Sequence, residues 1–313
     1  MTLPLLGAAD IEDLGPGGAA DALEAALRGG LDPAATPARS HVTVPGGELL
    51  IMPAATQEVV GVKIAGVAPG NAARGLPRIT GSYLLLDGAT LVPLALLDGA
   101  ALTTLRTPAV SALALRHLTP PSIGHLVLFG TGPQAYGHLG AVLAERHVER
   151  VTVVGRTPHR VEALVAHSRR LGVAAGAGDA DAVASADLVL CCTTAGKPLF
   201  DGELVRDSAT VVAVGSHTPD AREVDSRLVA RSAVVVEERS AALAEAGDLL
   251  LPIEEGVFAA EDVASDLAEL VTRPDRAAEL ASGVRPRFFK SVGMGWEDLV
   301  VAAAVHRNAP AGA

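Results

Sequence analysis

A glycine-rich segment, "VLFGTGPQA", has the spacing of a phosphate-binding loop. Gly130 would permit a tight turn after a buried strand, Gly132 would let the backbone approach a pyrophosphate, and Ala135 would keep the next helix close to the sheet. The amino terminus of that helix would stabilise the negative charge. Strand, loop, helix and a second strand follow one another within about 30 residues, as a dinucleotide-binding unit requires. We therefore predict a dinucleotide site at this loop.

The residues after the second strand bear on the choice of cofactor. The segment reads "VVGRTPHR" and offers Arg156, Thr157 and Arg160, with no Asp or Glu. NAD sites commonly place an acid there to accept from the ribose 2′-hydroxyl, whereas guanidinium groups match a 2′-phosphate. The alternative interpretation is a solvated helix start. We favour NADP(H) over NAD(H).

Three basic residues in the first third of the chain could bind an anion. Arg39, Lys63 and Arg106 each lie beside apolar residues, and Lys63 stands within the strand-like run "VVGVKIAGV". A single residue of this kind usually keeps its charged end in water while its stem covers apolar surface. Three of them, in a region without other evident chemistry, could instead converge on one carboxylate. Spacing alone leaves both interpretations open.

A lone histidine follows the buried strand in "VVAVGSHTPDAREVD". His217 could line a site or relay a proton, because the pKa of a free imidazole lies near neutrality. It could equally do no more than bond a loop carbonyl. A turn and the capped start of a helix are predicted from the charged residues that follow, Asp220, Arg222, Glu223 and Asp225.

The overall composition narrows the class of protein. The chain has 313 residues, of which 49% are hydrophobic and 3% aromatic, and this suits helices packed on a parallel sheet. A formal net charge of −11 argues against a nucleic-acid footprint. The amino terminus lacks a basic signal-peptide region, and no apolar run approaches the ~18 residues of a membrane span. We therefore expect a cytoplasmic protein.

The two cysteines are adjacent, at Cys191 and Cys192. Neighbouring cysteines do not form an ordinary structural disulfide, and the sequence contains no metal-type spacing. We expect both to be small buried side chains at a strand end.

The order of helix-like and strand-like segments predicts an α/β protein. From Gly124 onward, apolar strands alternate with helices, which predicts βαβ units and a parallel sheet. The first third predicts a helix, a hairpin around "PGG", and a second helix in "GAALTTLRTPAVSALALRHLT". This second helix bears Arg106, although Pro108 would place its first turn near Thr107. The last segment, "SVGMGWEDLVVAAAVHRNAPAGA", predicts an amphipathic helix followed by a fraying tail.

Segments spread over nearly the whole chain are similar to one known family. They are "RSHVTV…LLIMPA", "GVKIAGVAPGN…GLP", "LLLDGATLVPLALLDGAALTTLRTPAVSALA", "FGTGPQAYGH", "VGSHTPDAREVD" and "EAGDLLLP". In this order they resemble the ornithine cyclodeaminase/mu-crystallin family, most specifically at residues 103–112 and 130–138. The resemblance implies a Rossmann domain, a doubly wound parallel sheet that binds a dinucleotide, at 120–290. It also implies a discontinuous α+β domain for substrate binding and dimerisation at 1–119, completed by 291–313.

The resemblance also assigns roles to single residues. It implies that Arg39, Lys63 and Arg106 hold the α-carboxylate of an amino acid or cyclic imino acid, with Met52 also binding substrate. Lys63 could supply the proton that the ring nitrogen takes up, and His217 is the second candidate catalytic residue. The predicted cofactor-binding residues are Thr107, Gly130, Thr131, Gly132, Pro133, Gln134, Ala135, Arg156, Thr157, Arg160, Cys192, Thr193, Gly215 and Ser216. No metal site is predicted.

Two departures from the family's cyclodeaminases bear on the activity. Those enzymes carry an aspartate where this chain has His217, and they tend to carry an acid after the second strand, which this chain lacks. The family's ketimine reductases resemble the chain better, with a "RPDxRELD"-like sequence after the strand and "NRT" where "GRT" stands here. We therefore predict a homodimer that uses NAD(P)H to reduce Δ1-pyrroline-2-carboxylate or Δ1-piperideine-2-carboxylate to proline or pipecolate.

Three other functions stay open within the same family. One is ornithine cyclodeaminase, which converts L-ornithine to L-proline and ammonia with NAD as an internal redox shuttle. The second is an amino-acid dehydrogenase, and the third is a crystallin-like protein that binds NADPH without turnover. We disfavour the third, because Arg39, Lys63 and Arg106 would hold like charges close together at a cost in free energy if no substrate carboxylate lay between them.

Overall fold

The computed structural model describes residues 3–309, and the chain folds into two compact units. Unit 1 runs to Ala109 and resumes at Met294, and unit 2 comprises Val110–Gly293. The boundaries expected from the sequence are 119/120 and 290/291, and the roles assigned to the two units stay predictions. The tail predicted to fray lies outside the described residues.

The strands and helices have the following bounds, in chain order. The strands are β1 (Leu5–Leu6), β2 (Ser40–Val44), β3 (Gly47–Ala55), β4 (Val59–Val67), β5 (Ile79–Asp87), β6 (Pro93–Asp98), β7 (Ser122–Phe129), β8 (His147–Val154), β9 (Ala174–Ala177), β10 (Leu188–Cys191), β11 (Thr210–Ala213), β12 (Ala233–Val236), β13 (Val263–Asp266) and β14 (Arg287–Lys290). The helices are α1 (Ala8–Glu12), α2 (Gly15–Arg28), α3 (Gly99–Leu118), α4 (Pro133–Glu145), α5 (Pro158–Arg170), α6 (Ser226–Arg231), α7 (Arg239–Glu245), α8 (Gly247–Glu254), α9 (Leu267–Thr272), α10 (Pro274–Ala281) and α11 (Gly295–Asn308). Within residues 3–309, none of these helices combines the length and the apolar character needed to cross a bilayer.

Unit 1 is built on a mixed sheet with the strand order β1-β6-β5-β4-β3-β2. β1 pairs with β6 in parallel, and the other neighbours are antiparallel. The hairpin predicted at "PGG" is confirmed as β2 and β3. The register places Lys63 opposite Met52 on one side and Tyr83 on the other, so these three side chains share one face of the sheet.

Helix α11 is buried on all sides from Gly295 to Val305, so the amphipathic pattern predicted for it is wrong. It contacts β3, β4 and β5 and also α2, and a helix covered in this way needs buried residues on more than one side. At Gly295 a Cβ would lie 2.7 Å from the carbonyl oxygen of Pro53, so the helix start comes closer to the sheet than a larger residue would allow. This packing carries Glu297 and Asp298 into the interior.

Helix α3 begins earlier than predicted. Pro108 lies inside the helix and not in its first turn, so that prediction is wrong. Asp98 sets the start, because its Oδ1 accepts from the backbone N–H groups of Ala100 and Ala101 at 2.9 and 3.0 Å. Proline removes one backbone hydrogen bond from a helix but does not end this one. The residues before Pro108 that carry the predicted chemistry are therefore helical.

Unit 2 is built on a sheet with the order β13-β12-β14-β11-β10-β7-β8-β9, in which every described pair is parallel. Its central strands β10, β11, β12 and β14 are buried throughout, as expected for parallel strands covered on both faces. The chain order reverses between β7 and β10, and ligands of open α/β sheets bind at the carboxyl ends of strands where such a reversal occurs. The predicted α/β class, a doubly wound parallel sheet together with an α+β unit, is confirmed.

Candidate functional site

The glycine-rich loop joins β7 to α4, at the reversal of strand order in unit 2. Gly130 has a φ of +110°, and a Cβ there would lie 2.3 Å from the carbonyl oxygen of Cys192. A side chain would therefore clash with the end of β10. Gly132 is the N-cap of α4, and a Cβ added to it would meet none of the described atoms within 4 Å. The loop thus leaves open space beside a helix amino terminus, which fits the pyrophosphate of a dinucleotide.

The neighbouring residues complete this loop. Pro133 occupies the first turn of α4, where a missing N–H group costs no helical hydrogen bond. Ala135 is fully buried, as close packing of the helix on the sheet requires. Gly155, which follows β8, is so near the loop that a Cβ would lie 3.0 Å from Cγ2 of Thr131.

Helix α4 is anchored by a buried histidine. Nδ1 of His138 lies 2.8 Å from the carbonyl oxygen of Gln134, and Nε2 lies 3.0 Å from Oγ of Ser111 on α3. A carbonyl oxygen can only accept, so Nδ1 carries the proton and Nε2 accepts from the serine hydroxyl. Burial lowers the pKa of His138 to about 4, while the hydrogen bond to the Gln134 carbonyl acts in the opposite direction. The imidazole is therefore neutral at physiological pH and has a structural role.

Basic side chains follow β8 at the surface of unit 2. Arg156 and Arg160 are exposed, and Thr157 is the N-cap of α5. An exposed guanidinium group can bind a phosphate without first breaking a buried ion pair. The segment therefore places two exposed guanidinium groups after β8, and the choice between NADP(H) and NAD(H) stays a prediction.

A second cluster, buried within unit 1, consists of two cations and two carboxylates. Nζ of Lys63 donates to Oδ2 of Asp298 at 2.6 Å and to Oγ1 of Thr103 at 3.3 Å. Nη1 of Arg106 pairs with Glu297, and its Nε lies 3.2 Å from Oδ1 of Asp298. The four charged side chains are at most 6% exposed. One carboxylate, that of Asp298, therefore joins both cations.

The environment of Lys63 makes its ammonium group a stronger acid. Burial lowers the pKa of Lys63 to about 8, the ion pair with Asp298 acts against this, and the nearby Arg106 adds to it. Among the described residues, Lys63 uses two of its three N–H donors. An ammonium group of this kind can offer both a hydrogen bond and a proton to an anionic ligand.

Glu297 and Asp298 were not singled out by the sequence reasoning. They stand in the apolar run "GWEDLVVAAAV", and two acids in such a run are a signal for buried cationic partners. Their presence corrects one argument made from the sequence. Lys63 and Arg106 have carboxylate partners within the chain, so the cost of bringing like charges together gives no reason to reject an NADPH-binding protein without turnover.

Tyr83 is another residue that the sequence reasoning missed. It lies opposite Lys63 on the neighbouring strand and is fully buried. Its hydroxyl has no hydrogen-bond partner among the described residues, and it lies against Gly61, where a Cβ would come within 2.1 Å of it. Burial raises the pKa of Tyr83 well above its ordinary value, and Asp298 adds to this effect. The phenol therefore keeps its proton and remains a donor.

The other predicted residues of unit 1 have the following places. Met52 is buried on β3, opposite Lys63. Thr107 is buried on α3, next to Arg106 in the chain. Arg39 is half-buried and directly precedes β2. The structure therefore brings Lys63 and Arg106 to one carboxylate, and the convergence of Arg39 stays a prediction.

Comparison with known proteins places these sites in a family. The chain matches the family model described as ornithine cyclodeaminase/mu-crystallin family over residues 16–313. The chain belongs to this family.

Relatives of the chain in the ornithine cyclodeaminase/mu-crystallin family include named reductases. A Δ1-pyrroline-2-carboxylate reductase of Bacillus cereus is 36% identical over 266 residues, which cover 83% of this chain and 81% of the relative. Ketimine reductase mu-crystallin of Rattus norvegicus is 34% identical over 262 residues, with 83% and 80% covered. A solved structure of Thermococcus litoralis Δ1-pyrroline-2-carboxylate reductase, in complex with NADH and L-proline, has a TM-score of 0.89 and 30% identity and covers 97% of each chain.

In this member of the ornithine cyclodeaminase/mu-crystallin family, His217 is exposed in the loop after β11. Ser216 is buried, and Gly215 approaches the neighbouring loop so closely that a Cβ would lie 1.9 Å from the carbonyl oxygen of Thr193. Cys192 is a free, buried cysteine. Burial raises the pKa of the Cys192 thiol well above its ordinary value, and Glu223 adds to this, so the thiol keeps its proton and is a poor nucleophile.

Glu223 differs from what the sequence reasoning expected. Asp225 caps α6 as predicted, because its Oδ1 accepts from the backbone N–H of Leu228 at 2.9 Å. Glu223 was assigned to the same turn, but it is fully buried and its carboxylate accepts from the backbone of Thr193 and of Gly215. These are two of the predicted cofactor-binding residues, and no sequence motif indicated that one acid would hold both.

Proposed function

We propose that this protein uses a reduced nicotinamide cofactor to convert a small cyclic imino acid, Δ1-pyrroline-2-carboxylate or Δ1-piperideine-2-carboxylate, into proline or pipecolate. The observation that carries the proposal is that Lys63 and Arg106, both buried, form ion pairs with the same carboxylate, that of Asp298. The chain is also 36% identical to a Δ1-pyrroline-2-carboxylate reductase. A substrate of this class needs its carboxylate held and its ring nitrogen protonated. Two adjacent cations, one of which gives up its proton readily, can meet both needs.

The chain's own residues have separate tasks in this reaction. Arg106 orients the substrate carboxylate, because a planar guanidinium group matches two oxygen atoms, and Arg39 adds a second guanidinium group. Lys63 holds a proton and gives it to the imine nitrogen, which its lowered pKa favours. His217 relays protons between the site and solvent, since it is exposed in the loop after β11.

The cofactor is held by the loop of Gly130 and Gly132 and by the amino end of α4. When bound, the reduced nicotinamide supplies a hydride to the carbon of the C=N bond. NADP(H) is favoured because Arg156 and Arg160 are exposed where NAD sites commonly place an acid. The Thermococcus litoralis relative was solved with NADH, and rates with NADPH and NADH measured side by side test the preference of this chain.

The protein acts as a homodimer in this proposal, through the sheet of unit 1. The face that carries Lys63 is covered by α11. On the opposite face, neighbouring strands contribute one apolar residue each to a single row, and the row consists of Leu5, Leu96, Leu84, Val62 and Pro53. These side chains are half-buried or, for Leu5, exposed in the single chain. A continuous apolar strip of this kind suits a self-complementary subunit interface.

The test is a paired assay of the purified protein. NADPH oxidation is followed by absorbance with each of the two cyclic imino acids, and ammonia release is measured with L-ornithine and NAD. Rapid oxidation with an imino acid and no ammonia from ornithine would establish the reductase. Ammonia from ornithine without net cofactor turnover would establish the cyclodeaminase reaction instead. Tight NADPH binding without either reaction would identify a binding protein.

A further inference from the structure

The carboxylate of Glu223 ties together two loops at the carboxyl edge of the parallel sheet. Its Oε1 accepts from the backbone N–H and the hydroxyl of Thr193, both at 2.7 Å, and its Oε2 accepts from the backbone N–H of Gly215 at 2.7 Å. Thr193 follows β10 and Gly215 follows β11, and these two strands are parallel neighbours. Donors point at both oxygens of a side chain that is fully buried, an arrangement that suits an ionised acceptor.

Glu223 is itself held by a second buried pair. Oδ1 of Asp248 accepts from the backbone N–H groups of Glu223 and Val224 at 2.7 and 3.1 Å. Oδ2 of Asp248 lies 2.8 Å from Nζ of Lys290, and both side chains are fully buried. Nζ of Lys290 also donates to the carbonyl oxygen of Ser216 at 2.7 Å.

These contacts form a closed ring that begins and ends on one loop. From Gly215 the ring passes through Glu223, Asp248 and Lys290 and returns to Ser216, the residue directly before His217. Burial raises the pKa of Glu223, and Lys290 opposes this effect, so the buried cation helps to keep the acid ionised. Burying charged groups costs free energy, and the contacts of this ring offset that cost while they fix the loop at Gly215 and Ser216.

The ring holds loops at the carboxyl edge of the parallel sheet, where the proposed reaction requires its reactants to be positioned accurately. Ligands of open α/β sheets bind outside the carboxyl ends of the strands, and a displacement of about 1 Å in a positioned reaction can cost ~100-fold in rate. We propose that Glu223, supported by Asp248 and Lys290, is a positioning residue that fixes the loops of Thr193 and His217 for catalysis. This inference rests on the proposed reductase function.

Glu223→Gln removes the charge and keeps the shape of the side chain. One end of the amide would then present N–H groups either to the N–H of Gly215 or to the donors of Thr193, so one loop must lose its acceptor. The residues proposed to hold the substrate carboxylate, Arg39, Lys63 and Arg106, lie in unit 1 and are unchanged. We therefore expect kcat to fall about 10- to 100-fold, with the KM for the imino acid changed less than about threefold.

The matched control is Glu238→Gln in the same unit. Glu238 is also a buried carboxylate that accepts from backbone N–H groups, those of Ser240 and Ala241, but it does so at the start of α7. Its replacement should lower the melting temperature while kcat stays within about twofold. Asp248→Asn is a second variant that should show the same loss of kcat as Glu223→Gln, because it weakens the same ring.

Hydrogen exchange measured by mass spectrometry on the cofactor-loaded protein supplies a readout besides activity. Peptides that contain Thr193 and Gly215 should exchange faster in Glu223→Gln than in the parent protein, and a peptide containing Ser240 should not. Equal kcat values for Glu223→Gln and the parent, or an equal loss in Glu223→Gln and Glu238→Gln, would overturn the proposal. If the parent protein reduces neither imino acid, the reductase function fails first. Unchanged exchange at both loops would then also rule out the positioning role.

Discussion

The ammonium group of Lys63 lies 2.6 Å from the carboxylate of Asp298, and both side chains are almost completely buried. The pair joins the middle of a strand to the first turn of α11, although the two residues stand far apart in the chain. Because Asp298 also forms an ion pair with Arg106, the position of each cation depends on the same acid. The predictions for the substrate site follow from this arrangement.

The activity should depend on the protonation of Lys63. Its ordinary pKa is lowered to about 8, so the ammonium form that can donate a proton is present below pH 8 and is lost above it. We expect kcat/KM for imine reduction to fall as the pH rises through about 8. Lys63→Arg keeps the positive charge but does not give up its proton at these pH values, so we expect most of the activity to be lost and the remainder to show no fall near pH 8. A limb that is identical in Lys63→Arg would assign the titration to the substrate and not to Lys63.

Removal of Arg106 should weaken binding of the substrate carboxylate. Arg106→Ala deletes a buried charge that is paired within the chain, and we expect kcat/KM to fall roughly 100-fold, mainly through a higher KM. Arg116→Ala is the matched control, since Arg116 lies on the same helix and forms a partly buried ion pair with Glu145 at 2.6 Å. Steady-state kinetics of both variants decide the matter, and equal effects would mean that the clamp is wrongly assigned.

The cofactor preference should respond to the charge after β8. Arg156→Glu places an acid where NAD sites commonly have one and removes a partner for the 2′-phosphate. We expect the ratio of kcat/KM for NADPH to that for NADH to fall at least about tenfold. Arg170→Glu makes the same charge change at the other end of α5 and should leave the ratio unaltered. The preference would have another origin if both variants shifted it equally.

His138 should make the protein less stable in acid. Its pKa is about 4 in the folded chain and about 6.5 when unfolded, so the unfolded state binds a proton first as the pH falls. The stabilisation is therefore complete above pH 6.5 and is lost between about pH 6.5 and 4, by up to about 3 kcal/mol. His138→Gln should flatten this part of a plot of urea midpoint against pH.

His147→Gln, which changes an exposed histidine, is the control for that measurement and should retain the slope of the parent protein. A parent slope that survives in His138→Gln would show that other groups govern acid unfolding. Binding of NADPH by each variant at neutral pH is a useful companion measurement, because His138 anchors the helix that follows the glycine-rich loop.

The proposed dimer should depend on the apolar row of unit 1. Val62→Asp places a charge in the middle of that row, where a partner would have to desolvate it, and we expect a monomer in sedimentation or light scattering. Val284→Asp changes a valine that is 87% exposed in unit 2 and should leave the mass unchanged. A dimer that persists in Val62→Asp would place the interface elsewhere.

The parallel sheet of unit 2 could be predicted because its signals are local. Apolar runs such as "HLVLFG" and "TVVAVGS" alternate with helical segments, and the glycine spacing predicts the turn between β7 and α4. Pro108 misled the prediction for α3 because a local preference was weighed without the cap at Asp98. Each of these features is decided within a few neighbouring residues.

The charged interior could not be predicted in the same way, because it depends on pairs that are distant in sequence. Lys63 and Asp298 are 235 positions apart, and Arg106 and Glu297 are 191 apart. Glu223 shows the same limit at shorter range, since its turn-like surroundings gave no sign that both of its oxygens face backbone donors. The family resemblance indicated the two cations, but not the acids that hold them.

The cluster of Lys63, Arg106, Glu297 and Asp298 contains as many formal positive as negative charges, and this selects among forms of the substrate. A cyclic imino acid with an unprotonated ring nitrogen is an anion and would leave an uncompensated negative charge in a buried place. Its protonated form is a zwitterion without net charge and disturbs the balance far less. The same form is the one in which the C=N carbon is electron-poor. In the proposed reaction Lys63 gives this proton to the bound imino acid and is then reprotonated from the medium, so binding of the anionic substrate should be accompanied by proton uptake.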